Sequence, residues 1–177
     1  MKMIATSVRL GAVALFGLSF SGCATQGAVS QTQRCDLSSV EGVYALQEWH
    51  TNSGVLAPPA VDGRFVLQDG AVITILQNHA DEANKITSTV FGVFAQEGCN
   101  FSYRYTNASL LIETGTGSSV SHKLPWEGMR VFAVTSEGAG NILRTADGKA
   151  ELNFTEGGLR YSENGKFVRL WKKIAKR

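Results

Sequence analysis

Three histidines, two of them close to carboxylates, are the first residues in this sequence that could do chemistry. His50 follows Glu48 by two positions and His79 precedes Asp81 by two, a pairing in which a carboxylate could orient an imidazole for general-base work. Such neighbours also arise on any solvated strand end, and that plainer reading is preferred for both pairs and for His122. No G-x-S-x-G elbow, phosphate loop, G-x-G-x-x-G or H-E-x-x-H occurs, so the hydrolase, nucleotide and zinc-protease templates fail. Gly115-Thr116-Gly117-Ser118-Ser119 lacks the following helix and the Lys that phosphate binding needs, and reads as a loop. The sequence therefore predicts no catalytic set, no cofactor and no metal site.

The cysteines are more informative. Cys23 follows a basic opening with Lys2 and Arg9 and an apolar run over residues 10–20, the build of a secretory signal covering residues 1–22. About a dozen apolar residues fall short of the roughly 20 that a permanent membrane-spanning helix needs. The segment Phe20-Ser21-Gly22-Cys23 resembles the bacterial lipobox, with Phe where Leu, Val or Ile is usual. The resemblance implies cleavage before Cys23 and attachment of acyl chains such as palmitate to it. Ala24 behind the cysteine then implies the periplasmic face of the outer membrane. The alternative is an ordinary signal cut a few residues further on and a soluble periplasmic or secreted product. Small polar residues fill 24–34, so residues 23–34 read as anchor and tether, and residues 35–177 as the folded domain. In an oxidising compartment Cys35 and Cys99 are expected to form a disulfide, the alternative being two buried thiols.

The elements that must position any site are strands. The chain has 177 residues, 44% hydrophobic and 18% charged, with nineteen glycines against three prolines and no repeat, which suits one turn-rich globular domain. Its formal charge of +2 comes wholly from Lys2 and Arg9, so the body is neutral and offers no broad surface to nucleic acid. Lys172, Lys173, Lys176 and Arg177 make a small basic end, read as solvated, with contact to anionic lipid as the alternative. Period-two alternation recurs over residues 42–50, 63–68, 71–77, 85–96, 100–106, 109–113, 129–135, 141–145, 150–155, 158–162 and 167–174. Asp69-Gly70, Asp147-Gly148, Gly157-Gly158 and Asn164-Gly165 stand between runs and supply hairpin turns. One face of these strands is apolar, as in Phe101, Tyr103 and Tyr105 against Ser102, Arg104 and Thr106. With few helices to cover that face, the prediction is all-β: a small antiparallel up-and-down barrel of eight to ten strands, monomeric, filled by side chains or holding one small ligand. Phe91, Phe101, Tyr103, Phe132 and Phe154 alternate inward and are the candidates for lining a cavity, with ordinary core as the plainer alternative.

Glu41-Gly42-Val43-Tyr44-Ala45-Leu46 resembles the G-x-W opening of lipocalins and lipocalin-like domains, with Tyr in place of Trp. Asn164-Gly165-Lys166-Phe167-Val168-Arg169-Leu170-Trp171 resembles their closing strand, and the segment from Lys123 through Pro125, Trp126 and Gly128 to Arg130 is similar to one in bacterial lipocalin-like domains. The resemblance spans roughly residues 40–173. It implies that Gly42, Tyr44, Arg169 and Trp171 close one end of the barrel, Arg169 packing across the first-strand aromatic, while the other end stays open. A second, local resemblance is that of Gly98-Cys99-Asn100-Phe101-Ser102, followed by Tyr105, to the META domain of small envelope lipoproteins. That family's downstream cysteine is absent here, and Cys35 lies upstream instead.

These readings favour an exported lipoprotein that binds or carries a small hydrophobic ligand in its barrel. The alternative is a non-catalytic structural or interaction protein of the bacterial envelope. A third possibility, a calycin-type isomerase or lyase, needs at least two titratable groups inside the cavity.

Overall fold

The structure is a computed structural model, and it describes residues 35–175. Cys23, with the predicted signal and tether around it, and the terminal Lys176 and Arg177 lie outside the described residues.

Twelve strands follow one another: β1 (Gly42–Thr51), β2 (Gly54–Leu56), β3 (Val61–Gln68), β4 (Ala71–Asn78), β5 (Asn84–Glu97), β6 (Asn100–Thr114), β7 (Gly117–Ser121), β8 (Arg130–Glu137), β9 (Gly140–Thr145), β10 (Ala150–Phe154), β11 (Gly158–Glu163) and β12 (Phe167–Ala175). Among the described residues the helical content is one 3-10 turn, Ser38–Val40. Every strand pairing is antiparallel. Ten strands form the ring β1-β3-β4-β5-β6-β8-β9-β10-β11-β12, closed by β12 against β1, while β2 and β7 extend the free edges of β1 and β6. The chain is thus an all-β barrel, and closure removes the exposed sheet edges that an open meander would leave.

Local chemistry sets the hairpins. Gln68 pairs with Ala71, leaving a two-residue turn in which Asp69 (φ 51°) and Gly70 (φ 77°) both take positive φ, the geometry that matches strand twist. Residues 100–114 form a single strand rather than the two expected, because β6 bulges: Tyr105 pairs with Gly92, Asn107 pairs with Phe91, and Thr106 is skipped. At this bulge the backbones approach so closely that a Cβ on Gly92 would meet the Arg104 carbonyl.

The inward phase of the strands fills the barrel. Tyr44, Leu46, Phe65, Leu67, Val72, Phe101, Tyr103, Phe132, Leu143, Leu152, Phe154 and Trp171 are all buried. Residues 35–40 cover one end. Leu37 and Val40 are buried there, the Tyr44 hydroxyl donates to the Val40 carbonyl at 2.6 Å, and buried Asn141 donates to the Asp36 carbonyl and to Ser39 Oγ, both at 3.2 Å. A disulfide between Cys35 and Cys99 fastens this cap to the start of β6.

Candidate functional site

The opposite end is built differently, beginning with an edge that changes partners. β6 offers residues 100–103 to β8 and residues 110–114 to β7, so the barrel wall is left unpaired between them. Residues 122–129 cross that gap, tied by His122 Nδ1 at 3.1 Å from the Ala108 carbonyl. They lay Trp126 on Tyr105 with ring centres 4.5 Å apart and set its edge against Tyr103 at 5.6 Å. Below this loop is a cavity of about 320 Å³, walled by Leu76, Val90, Tyr105, Trp126, Tyr161 and Phe167, with Arg130, Glu163 and Arg169 among its polar lining.

Two arginines enter this mouth in different states. The Arg130 guanidinium lies 3.7 Å from the Trp126 ring centre, and its Nη1 donates to the Tyr161 hydroxyl and to Glu163 Oε2, both at 3.3 Å. Lys166 also bonds Glu163. Burial pushes the Glu163 carboxyl up, but the Lys166 hydrogen bond and the Arg130 charge outweigh that and hold it below the usual carboxylate range. Arg169 is sandwiched between Trp49 (4.3 Å) and Phe167 (4.2 Å). Among the described residues no carboxylate lies within ion-pair distance of it, and its buried Nε has no hydrogen-bond partner. Burial pushes its guanidinium down to about 10. The indole nitrogens of Trp49 and Trp126 are likewise buried without partners. Burial raises the hydroxyls of Tyr103, Tyr105 and Tyr161, that of Tyr105 to about 12 even though it hydrogen-bonds Thr74 Oγ1 at 3.1 Å. The mouth is thus an aromatic box beside a cation without an ion pair, able to hold a flat or apolar body.

Several expected positions require correction. Phe91 does not line the interior; it is 45% exposed on the outer face, because β5 alternates without a break and places Val90 and Phe94 inward instead. Phe101, Tyr103, Phe132 and Phe154 are buried as core, packing on one another and on Tyr44, with Tyr103 alone reaching the Trp126 ring. Arg169 does not pack across Tyr44 at the closed end. Along β1 and β12, Tyr44 pairs with Lys173 and Trp49 with Arg169, so Arg169 belongs to the open mouth and Lys173 Nζ lies over Tyr44 at 5.4 Å. Gly42 and Tyr44 sit at the capped end, where a Cβ on Gly42 would strike Lys173 and the Ala175 carbonyl, and Trp171 packs on Phe65 within the core.

The histidines do not converge. His50 Nε2 meets Glu48 at 2.7 Å on a largely exposed strand end, whereas Asp81 turns away from His79 to accept from the Ala83 amide and Asn84 Nδ2. Among the described residues no group of three His, Cys, Asp or Glu side chains could hold a metal.

The sequence reading missed Tyr105, Trp126, Arg130, Tyr161, Glu163 and Phe167 as site residues. A usable signal was present: Arg130, Glu163 and Arg169 are charged residues standing in the inward phase beside apolar inward neighbours, namely Phe132, Tyr161 and Trp171. Set against known proteins, the chain matches no family model, no curated protein and no solved structure.

Proposed function

We propose that this chain is an exported lipoprotein of the bacterial envelope, lipocalin-like in its opening and closing strands. In this reading it is a monomer held to the outer membrane through Cys23, and its barrel binds or carries one small, largely apolar molecule without transforming it. The observation that supports carriage is the aromatic-walled mouth cavity, whose volume of about 320 Å³ falls at the lower end of the range of ligand pockets. Carriage is favoured over catalysis because the titratable groups there are poorly tuned for proton transfer: Glu163 is held low by its cationic neighbours and the tyrosines are held high by burial.

Native mass spectrometry of the purified protein tests carriage. A discrete adduct released on denaturation is expected. A bare mass, followed by failure to bind any member of a lipid and aromatic panel, would refute it. The anchor is tested separately, since Cys23→Ser is expected to release the protein from membranes and continued association would argue against lipidation.

A second reading, an interaction protein of the envelope, draws on the outer face. Val43, Val66, Ile73 and Phe91 align across β1, β3, β4 and β5, with Ile75 and Val93 exposed beside them. Retention of ligand binding after Phe91→Ser and Val93→Ser would separate the two.

A further inference from the structure

The mouth cavity is specific about what it lacks. Arg130 has its counter-charge in Glu163, and Lys166, the other cation at the rim, is 67% exposed, so its charge is carried in water. That leaves one positive charge, Arg169, inside the box with no carboxylate in contact. Beside it, Arg169 Nε and the indole nitrogens of Trp49, stacked on Arg169, and of Trp126, in the cavity wall, are buried without acceptors. A buried cation without an ion pair carries a desolvation cost that an anionic group in the cavity would relieve.

Resting on the reading of the barrel as a carrier, we infer that its ligand is a small amphipathic monocarboxylate. Its carboxylate is received by Arg169, and its apolar part lies between Trp126, Tyr105, Val90 and Leu76. One guanidinium without an ion pair matches one negative charge, which favours a carboxylate over a doubly charged phosphate. The cavity holds about ten groups of water size at ~30 Å³ each, which fits an aryl or medium-chain acid and excludes a full-length membrane lipid. Planar walls at Trp126 and Tyr105 favour a ring.

The test uses cinnamate, cinnamyl alcohol and phenyl phosphate as probes of the purified protein with its disulfide intact, read by calorimetry and by the fluorescence of the mouth tryptophans. Cinnamate is expected to bind about tenfold or more tighter than the alcohol, a charge-assisted hydrogen bond being the difference, and tighter than the phosphate. Arg169→Met, which keeps the apolar bulk between Trp49 and Phe167, is expected to erase the preference for cinnamate over the alcohol. Equal binding of acid and alcohol by the unaltered protein would overturn the anion inference and leave the carrier reading standing, whether or not the variant folds. Tightest binding by the phosphate would overturn the monocarboxylate assignment alone. Failure of all three probes, together with a bare native mass, would remove the carrier reading and this inference with it. A native adduct that carries no acid group would overturn the inference alone.

Discussion

Arg169 of β12 lies with its guanidinium carbon 4.3 Å from the centre of the Trp49 ring of β1, in the register that closes the barrel. This contact joins the first strand to the last one and also places a cation at the cavity. The two roles separate energetically. A partly desolvated cation over an indole contributes about 1–2 kcal/mol, while holding that cation away from water without a counter-charge costs as much or more. Arg169→Met is therefore expected to leave thermal stability unchanged or raise it. Trp49→Ala, which removes a large ring and strands the cation, is expected to cost about 3 kcal/mol or more. A double-mutant cycle by urea unfolding should return a coupling of about 1 kcal/mol, and a coupling of zero would deny the contact any energetic role.

The cap at the other end depends on a covalent tie. Cys35 and Cys99 enclose a 64-residue loop. Cross-linking a loop of that length restricts the unfolded chain by about 4 kcal/mol in the chain-entropy account. Replacing both cysteines with alanine is expected to lower the melting temperature by on the order of 10 °C. Hydrogen exchange at the Leu37 and Val40 amides should rise more than in β3 or β4, since residues 35–40 lose their fastening. Uniform exchange across the barrel would show that the cap does not open independently.

Phe91 and Phe132 have the same side chain and opposite surroundings, one 45% exposed on the outer wall and one fully buried. Phe91→Ser is expected to change stability by less than about 0.5 kcal/mol, and Phe132→Ala to cost about 3–5 kcal/mol. Chemical denaturation of the two variants checks both values, and a large loss at Phe91 would mean that the outer face packs against something in solution.

Phe91 was misjudged because Val90, Phe91, Val93 and Phe94 put apolar side chains on both faces of β5, which leaves its phase undecided in the sequence, and the same limit shows which parts of the structure were legible. Alternation and turn dipeptides are local, and the strands on either side of Asp69-Gly70 were readable almost to the residue. A bulge is an event between two strands. When Thr106 drops out of the ladder, the inward phase of β6 shifts from Tyr105 to Ala108, and residues 100–114 look like two strands. Short β7, with Ser118, Ser119 and Ser121 all exposed, carries no alternation at all and left no trace. The cavity was harder still, because it exists where β6 changes partner and Trp126 arrives from a loop. Arg130, Glu163 and Arg169, charged side chains in an apolar phase, marked it in advance.

Alkaline pH should unfold this barrel steeply. All four tyrosines, Tyr44, Tyr103, Tyr105 and Tyr161, are buried, and burial raises every hydroxyl above its ordinary value, that of Tyr105 to about 12. A hydroxyl that holds its proton more tightly in the folded state contributes stability that is fully present below the unfolded value of about 10 and is lost as pH climbs through the folded one. Arg169 works in the opposite sense. Its guanidinium is pushed down to about 10, so above that pH the folded chain gives up this proton first and regains part of the desolvation cost. Four raised hydroxyls outweigh one lowered guanidinium, and each net proton is worth about 1.4 kcal/mol per pH unit, so the fold is expected to lose on the order of 4 kcal/mol per unit between pH ~10 and ~12. In an alkaline titration, tyrosinate absorbance should stay silent through pH ~10 and then rise together with the loss of tryptophan fluorescence. A gradual tyrosinate signal with the fold intact would show that these hydroxyls reach water.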